Sequence, residues 1–520
     1  MADRFLTAEQ IQARPRLAAP LLLLAGLLLG GLLPAAAQDA PVTLPAPDAM
    51  AVQPDPADFV GRADGVLMVA GNPHRFAGIG INWLGLVQAP GEAPRFPTDY
   101  EVHDILRTVD AMDSSVVRAT SLGITAGCPA CLVPAPGQVN ADALHHMDTV
   151  LRRAKDAGVK LIIPLAGGAA CPAQGDPDPV AATPCVFARF HHLDAPAFYT
   201  DATVRADFAA AVAKLLNHLN PLTGIAYKDD PTIMAWENCD ACGKGLDPAM
   251  MADWTEFLGR AIKATDTHHL YENGAFAGRL GKQPGHVGDT LLALRSVDLI
   301  GDRVMPGADP AGTGIQDAAD QVTRTNRVYL IDAYGWAPAQ WATPDALDTF
   351  LKAVIKKREI AGAFVSALSG HADGGGYLPP GPASDAAASG PAFYFPGATT
   401  PAASMDAMSP RARAVRRLSF GMTDLRVLPF YNVGQPEIIA AVHGRVTWRG
   451  AAGATSYSIA RSPNIALGGS WQIICDKCVT DAQASWQDPA PPATPVWYRM
   501  MPFNANDHGG MYSEPVKNQS

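Results

Sequence analysis

The chain has little charge of either sign and no basic excess. Of its 520 residues 17% are charged, and 40 Lys and Arg against 50 Asp and Glu leave a formal net charge of −10. That balance offers no basic footprint, so nucleic acid is not an expected partner. With 48% hydrophobic residues the composition is that of an ordinary globular protein, which excludes a disordered chain. No second long apolar run follows the one that ends at Leu33, so the mature chain is expected to be soluble, without stable membrane insertion. No cysteine stands directly after that run either, so a lipid anchor through a lipobox-like site is not supported.

What is present at the start has the layout of a secretory signal peptide over residues 1–37. Arg4, Arg14 and Arg16 precede the apolar run Leu17–Leu33, and Ala35, Ala36 and Ala37 provide an Ala-x-Ala cleavage site. The expected location is secreted or periplasmic. The apolar run nearly reaches spanning length, so a signal anchor in the inner membrane is the alternative. Residues 38–57, rich in Pro, Ala and Asp, read as an exposed leader.

Eight cysteines in an exported chain point to disulfides before metal ligands. They fall as Cys128/Cys131, Cys171/Cys185, Cys239/Cys242 and Cys475/Cys478. A zinc site needs two such pairs to converge, and the C-terminal pair has no obvious partner. Neither a metal nor any other cofactor is expected.

Between residues 58 and 425 the texture alternates. A short hairpin (Val66–Met68, then Arg75–Phe76) precedes eight apolar runs: Phe76–Trp83, Ser115–Leu122, Val159–Leu165, Thr232–Glu237, His269–Asn273, Val297–Val304, Val328–Ala333 and Gly362–Leu368. Continuous apolar runs of this length fit parallel strands buried on both faces. Helical faces lie between them, one with Phe208, Val212, Leu215, Leu216 and Leu219, another with Met250, Trp254, Phe257, Leu258 and Ile262. Thr343 is a candidate N-cap with Pro344 at the first helical position. The order implies an α/β fold, a (β/α)₈ TIM barrel. A doubly wound sheet is disfavoured, because no Gly-rich phosphate loop follows the first strand. Residues 430–520 carry short alternating strands around Trp448, Tyr457 and Tyr498, and resemble a fibronectin type III module, a small all-β sandwich with Trp448 and Tyr498 in its core.

The segment Tyr227–Gly243 reads Y-K-D-D-P-T-I-M-A-W-E-N-C-D-A-C-G. It resembles the fourth barrel strand of glycoside hydrolase family 5, β-mannanase-like members above all, where the run continues W-E-x-x-N-E and the last Glu is the general acid/base. The resemblance matches Trp236 and Glu237, puts Asp240 where Asn is usual, and puts Ala241 at the acid/base. The family's strand-seven pattern E-E-F-G corresponds here to D-A-Y-G, so Ala333 stands at the nucleophile after Asp332. Strand six has Arg303 and Met305 where the family has His and Tyr, and strand eight has Val365 in place of an aromatic.

Retaining hydrolysis needs two carboxyl groups about 5–5.5 Å apart, and alanine supplies neither. The resemblance therefore implies a barrel that binds an oligo- or polysaccharide of the mannan or glucan class through Asn82, Trp83, Arg118, Trp236, Trp336, His371 and Asp373, with hydrolysis lost or much reduced. An active endo-β-glycosidase with displaced carboxylates, Asp240 and Asp332, is the alternative; a structural envelope protein is another. Glu237 is expected to pair with Arg118, and Glu272 is a further carboxylate without family precedent. Alternation along a strand would aim Asp240 and Asp332 away from the pocket. The cysteine pairs after strands two, three and four would stiffen one side of the rim.

Overall fold

The computed structural model describes residues 54–88, 92–168, 182–240, 242, 246–274, 287–304, 311–334, 344–378, 392–397, 410–423, 432–465 and 470–519. The chain first forms a three-stranded antiparallel sheet from β1 (Val60–Ala63), β2 (Val66–Val69) and β3 (Asn72–Pro73). The barrel strands β4 (Phe76–Ile81), β5 (Val116–Ala119) and β6 (Lys160–Gly167) follow, then a short pair, β7 (Leu219–Asn220) and β8 (Ile225–Ala226). The remaining barrel strands are β9 (Ile233–Asp240), β10 (Leu270–Asn273), β11 (Leu299–Val304), β12 (Val328–Tyr334) and β13 (Ile360–Val365). All eight pair in parallel, and β13 closes the ring onto β4.

Each predicted apolar run overlaps one barrel strand. The reason is burial on both faces: Ile79, Val117, Ile163 and Ile331 pack outward against helices, while Phe76, Val116, Leu270, Leu299 and Leu330 fill the interior. Size is matched across the interior, since a β-carbon at Gly78 would strike Phe364 and one at Gly362 would strike Phe76. Val60 and Leu67 join the same inner cluster, so the leading sheet plugs the N-terminal mouth of the barrel.

The helices are α1 (Asp99–Ala111), α2 (Ala141–Asp156), α3 (Thr183–Phe190), α4 (Ala197–Thr200), α5 (Ala202–Leu216), α6 (Pro248–Lys263), α7 (Asp289–Leu292), α8 (Thr313–Arg324), α9 (Pro344–Lys356) and α10 (Pro410–Met422). Thr98 and Glu101 form a capping box that starts α1, and Asp247 caps α6. Four of the five residues expected on one face of α5 are buried. Leu219 is not, because the helix stops at Leu216 and the chain turns into β7, leaving Leu219 42% exposed. Thr343 lies outside the described residues. Among the described residues no helix is long and apolar enough to cross a membrane.

The C-terminal part is all β, a three-stranded sheet of β14 (Glu437–Val442), β15 (Arg445–Arg449) and β18 (Ser485–Gln487) and a four-stranded sheet with β17 (Gln472–Val479), β16 (Ser456–Ser462), β19 (Trp497–Phe503) and β20 (Val516–Lys517) in that spatial order. Ile438, Val446, Trp448, Tyr457, Ile459, Tyr498 and Met500 meet between them as a small sandwich core.

Candidate active site at the C-terminal ends of the barrel strands

Arg118, on β5, is the centre of the barrel's charged interior. Its Nε donates to Glu237 Oε2 at 2.7 Å, and its Nη2 donates both to Glu237 Oε1 at 2.5 Å and to Asp240 Oδ1 at 2.9 Å. The expected Glu237–Arg118 pair is thus present, as a two-toothed bridge between strands. Arg303, on β11, points its Nη2 at Asp240 from 3.9 Å. Asp240 therefore faces the interior between two guanidinium groups, not away from it.

Asp332 also faces inward, by alternation along β12 after inward Leu330 and outward Ile331. Along β11 and β12, Asp302 pairs with Ile331 and the next residue, Arg303, pairs with Ala333. β12 thus has one residue more than its neighbour, a β-bulge that shifts the register between the two strands. The carboxylate of Asp332 fills the space over Gly301, where any β-carbon would collide with it. Ala333 is brought level with Arg303, buried at 4% exposure. The outward direction expected for Asp332 and Asp240 is corrected on both strands.

Glu272, on β10, lies beside Glu237 in register. It is fully buried, and neither carboxyl oxygen receives a donor. Burial, then the charges of Asp332 and Glu237, push Glu272 well above the usual carboxylate range. Burial lifts Asp332 to about 6 against the pull of Arg118, and lifts Glu237 as well. Three carboxyl groups share one water-poor interior, where burial and mutual repulsion favour the protonated form of Glu272. Arg118 is held charged by Glu237, Asp240 and Asp332, which outweigh the cost of its burial.

The other expected binding residues divide. Asn82 follows β4 and is half-buried at the rim. Trp83 is 4% exposed, and its indole N–H donates to Leu368 O at 3.0 Å, so it supports the loop after β13. Trp236 is not a sugar platform. It points outward from β9 with no exposure and donates to Asp266 Oδ2 at 2.7 Å, because Glu237 next to it takes the inward direction. His371 is likewise not at the cleft; it is 2% exposed and bonds Asp104 and Asp481, carboxylates that the sequence reading did not connect with it. Asp373 forms a salt bridge to Arg449 at 2.6 Å. Val365 is fully buried. Ala241, Met305 and Trp336 lie outside the described residues.

Disulfides join Cys128 to Cys131, Cys239 to Cys242 and Cys475 to Cys478, each with Cα atoms 4.9–5.8 Å apart. Cys185 is also disulfide-bonded, and Cys171 lies outside the described residues. β5, β6 and β9 are neighbours, so the bonded cysteines after them stand along one side of the rim. Among the described residues no cluster of His, Cys, Asp or Glu has metal-binding geometry.

A family model described as GH family 5 beta-mannosidase-like matches residues 175–299, the stretch that carries β9 and β10. Over that stretch the chain resembles the mannosidase-like members of glycoside hydrolase family 5. Mannan endo-1,4-beta-mannosidase 1 of Solanum lycopersicum is 28% identical over 254 residues, 46% of this chain and 56% of that protein. The protein of the same name from Arabidopsis thaliana is 27% identical over 260 residues, 48% of this chain and 56% of its own length. The chain thus spans a little over half the length of these curated relatives. The endo-beta-1,4-mannanase of Thermotoga petrophila has a similar fold, with a TM-score of 0.54 at 17% identity over 86% of this chain and 98% of that one. A mannosidase of the same family from Rhizomucor miehei gives 0.52 at 16% identity, over 71% of this chain and 99% of that one.

Proposed function

We propose that this chain is an exported family 5 protein that binds a β-linked mannan, with hydrolysis lost or strongly reduced. The observation that carries the reading is the end of β12, where Ala333 stands level with Arg303 and the neighbouring carboxylate, Asp332, is buried over Gly301 inside the barrel. A nucleophile must be ionised and must reach the sugar. A carboxylate that is 5% exposed, and whose ionisation burial opposes, is poorly suited to either demand. Mannan is the favoured ligand class because the matching relatives are named as mannan endo-1,4-beta-mannosidases. The disulfides and the N-terminal pattern of Arg4, the Leu17–Leu33 run and Ala37 support export. The paired C-terminal sheets support a fibronectin type III-like module over residues 430–520, after a barrel within 58–425.

The test is calorimetric titration with a β-1,4-manno-oligosaccharide, alongside reducing-end release from the polymer. Binding without release supports the reading, and no binding to mannan or glucan oligomers would sink it. A second reading, hydrolysis by displaced carboxylates, is favoured by one observation: Asp240 and Asp332 both lie in the field of Arg118. Sugar release abolished by Asp240→Asn or Asp332→Asn would establish that reading in its place.

A further inference from the structure

The loop after β13 is gripped from two sides by charge. His371 in that loop has Nδ1 2.8 Å from Asp104 Oδ2 on α1 and Nε2 3.0 Å from Asp481 Oδ2 in the sandwich. All three side chains are at most 5% exposed. A neutral imidazole has one N–H and could donate to only one of these carboxylates, leaving a lone pair against the other. Bonding both requires the imidazolium.

Every element packed on His371 contributes to the grip. From α1 come Tyr100, Glu101 and Asp104; the Tyr100 hydroxyl donates to Gly450 O at 2.9 Å and Glu101 accepts from the Asp373 N–H at 3.3 Å. From the loop itself come Asp373 and Tyr377, whose ring stacks on the imidazole with centroids 5.1 Å apart, backed by Tyr394. From the sandwich come Arg449, paired with Asp373, and Asp481. Asp481 also accepts from the Tyr457 hydroxyl at 2.5 Å and the Trp448 indole at 3.1 Å. A β-carbon at Gly450 would collide with the imidazole, so the sandwich backbone closes directly over it.

We propose that the sandwich is a clamp on the rim of the barrel, fastened by the Asp104–His371–Asp481 bridge, and that it releases the loop of residues 366–378 when the imidazole loses its proton. The loop carries Leu368, whose carbonyl holds Trp83 at the end of β4, so the clamp also sets that corner of the rim. The flanking carboxylates outweigh burial and hold His371 well above the ordinary histidine value. A raised folded value means that the contribution is complete below the unfolded histidine pKa and fades as pH rises through the folded one. The release is therefore alkaline, with the clamp shut at neutral pH.

The test is amide hydrogen exchange of the full chain, expressed as protection factors, from about pH 6 to about pH 10. Protection in 366–378 should fall by roughly tenfold or more across that range, while β9 to β12 stay protected. His371→Gln at the lower pH should resemble the wild type at the higher one. The wild-type titration alone carries the test if that variant does not fold. Protection unchanged across the range would overturn the proposal, and so would an equal loss throughout the barrel.

Discussion

Gly301 and Asp332 are complementary neighbours on adjacent strands, since the carboxylate of Asp332 occupies the space that a β-carbon at Gly301 would need. Gly301→Ala should therefore destabilise the barrel by about 1–3 kcal/mol, the usual cost of overpacking a filled interior. Urea unfolding measures it; a midpoint equal to that of wild type would mean that Asp332 does not lie over Gly301.

Glu272 is buried without a donor, and burial with the charges of Asp332 and Glu237 favours its protonated form in the folded chain. The unfolded chain binds fewer protons than the folded one at any pH between the two values, so stability falls as pH rises from about 4.3 toward the folded value. Glu272→Gln keeps the shape and removes the titration. The variant should gain on wild type as pH rises toward neutral, read as a widening difference in Tm. A difference that is flat with pH would contradict a protonated Glu272.

Arg118 compensates Glu237 and Asp240 with little water near them. Arg118→Met should cost about 3–5 kcal/mol, because it leaves buried charge unpaired. Arg118→Lys should recover only part of that loss, since an ammonium cannot meet both oxygens of Glu237 while also reaching Asp240. Denaturant unfolding of the three proteins at one pH separates these outcomes.

Trp236→Phe tests an orientation. The indole bond to Asp266 is buried, and losing a hydrogen bond to a charged group costs about 1.5–3 kcal/mol. Stability should fall while affinity for manno-oligosaccharide stays unchanged. A selective loss of affinity would return Trp236 to the sugar cleft.

Much of this architecture was legible in the chain. The eight barrel strands appear as apolar runs because both faces of a parallel barrel are buried, and Trp448 and Tyr498 declared the sandwich core. The Arg118–Glu237 pair was readable as well, from two opposite charges on strands that the fold places close together. The direction of Trp236 could have been read by the same reasoning, because an inward Glu237 sends its neighbour outward. The bulge at Asp332 could not, since it depends on a count of residues between two strands and leaves no local pattern. The role of His371 was hidden for a different reason. Its second partner, Asp481, is 110 positions away on another part of the fold, while the surrounding motif pointed to a sugar.

The extra residue in β12 relative to β11 also fixes the surroundings of position 333. A carboxylate placed there would stand next to Asp332 and level with Arg303, so it would meet a like charge along the strand and a neutralising one across it. Exchanging that one side chain would add another member to an already crowded ion cluster, and its ionisation would depend on how Arg303 divides itself between Asp240 and the newcomer.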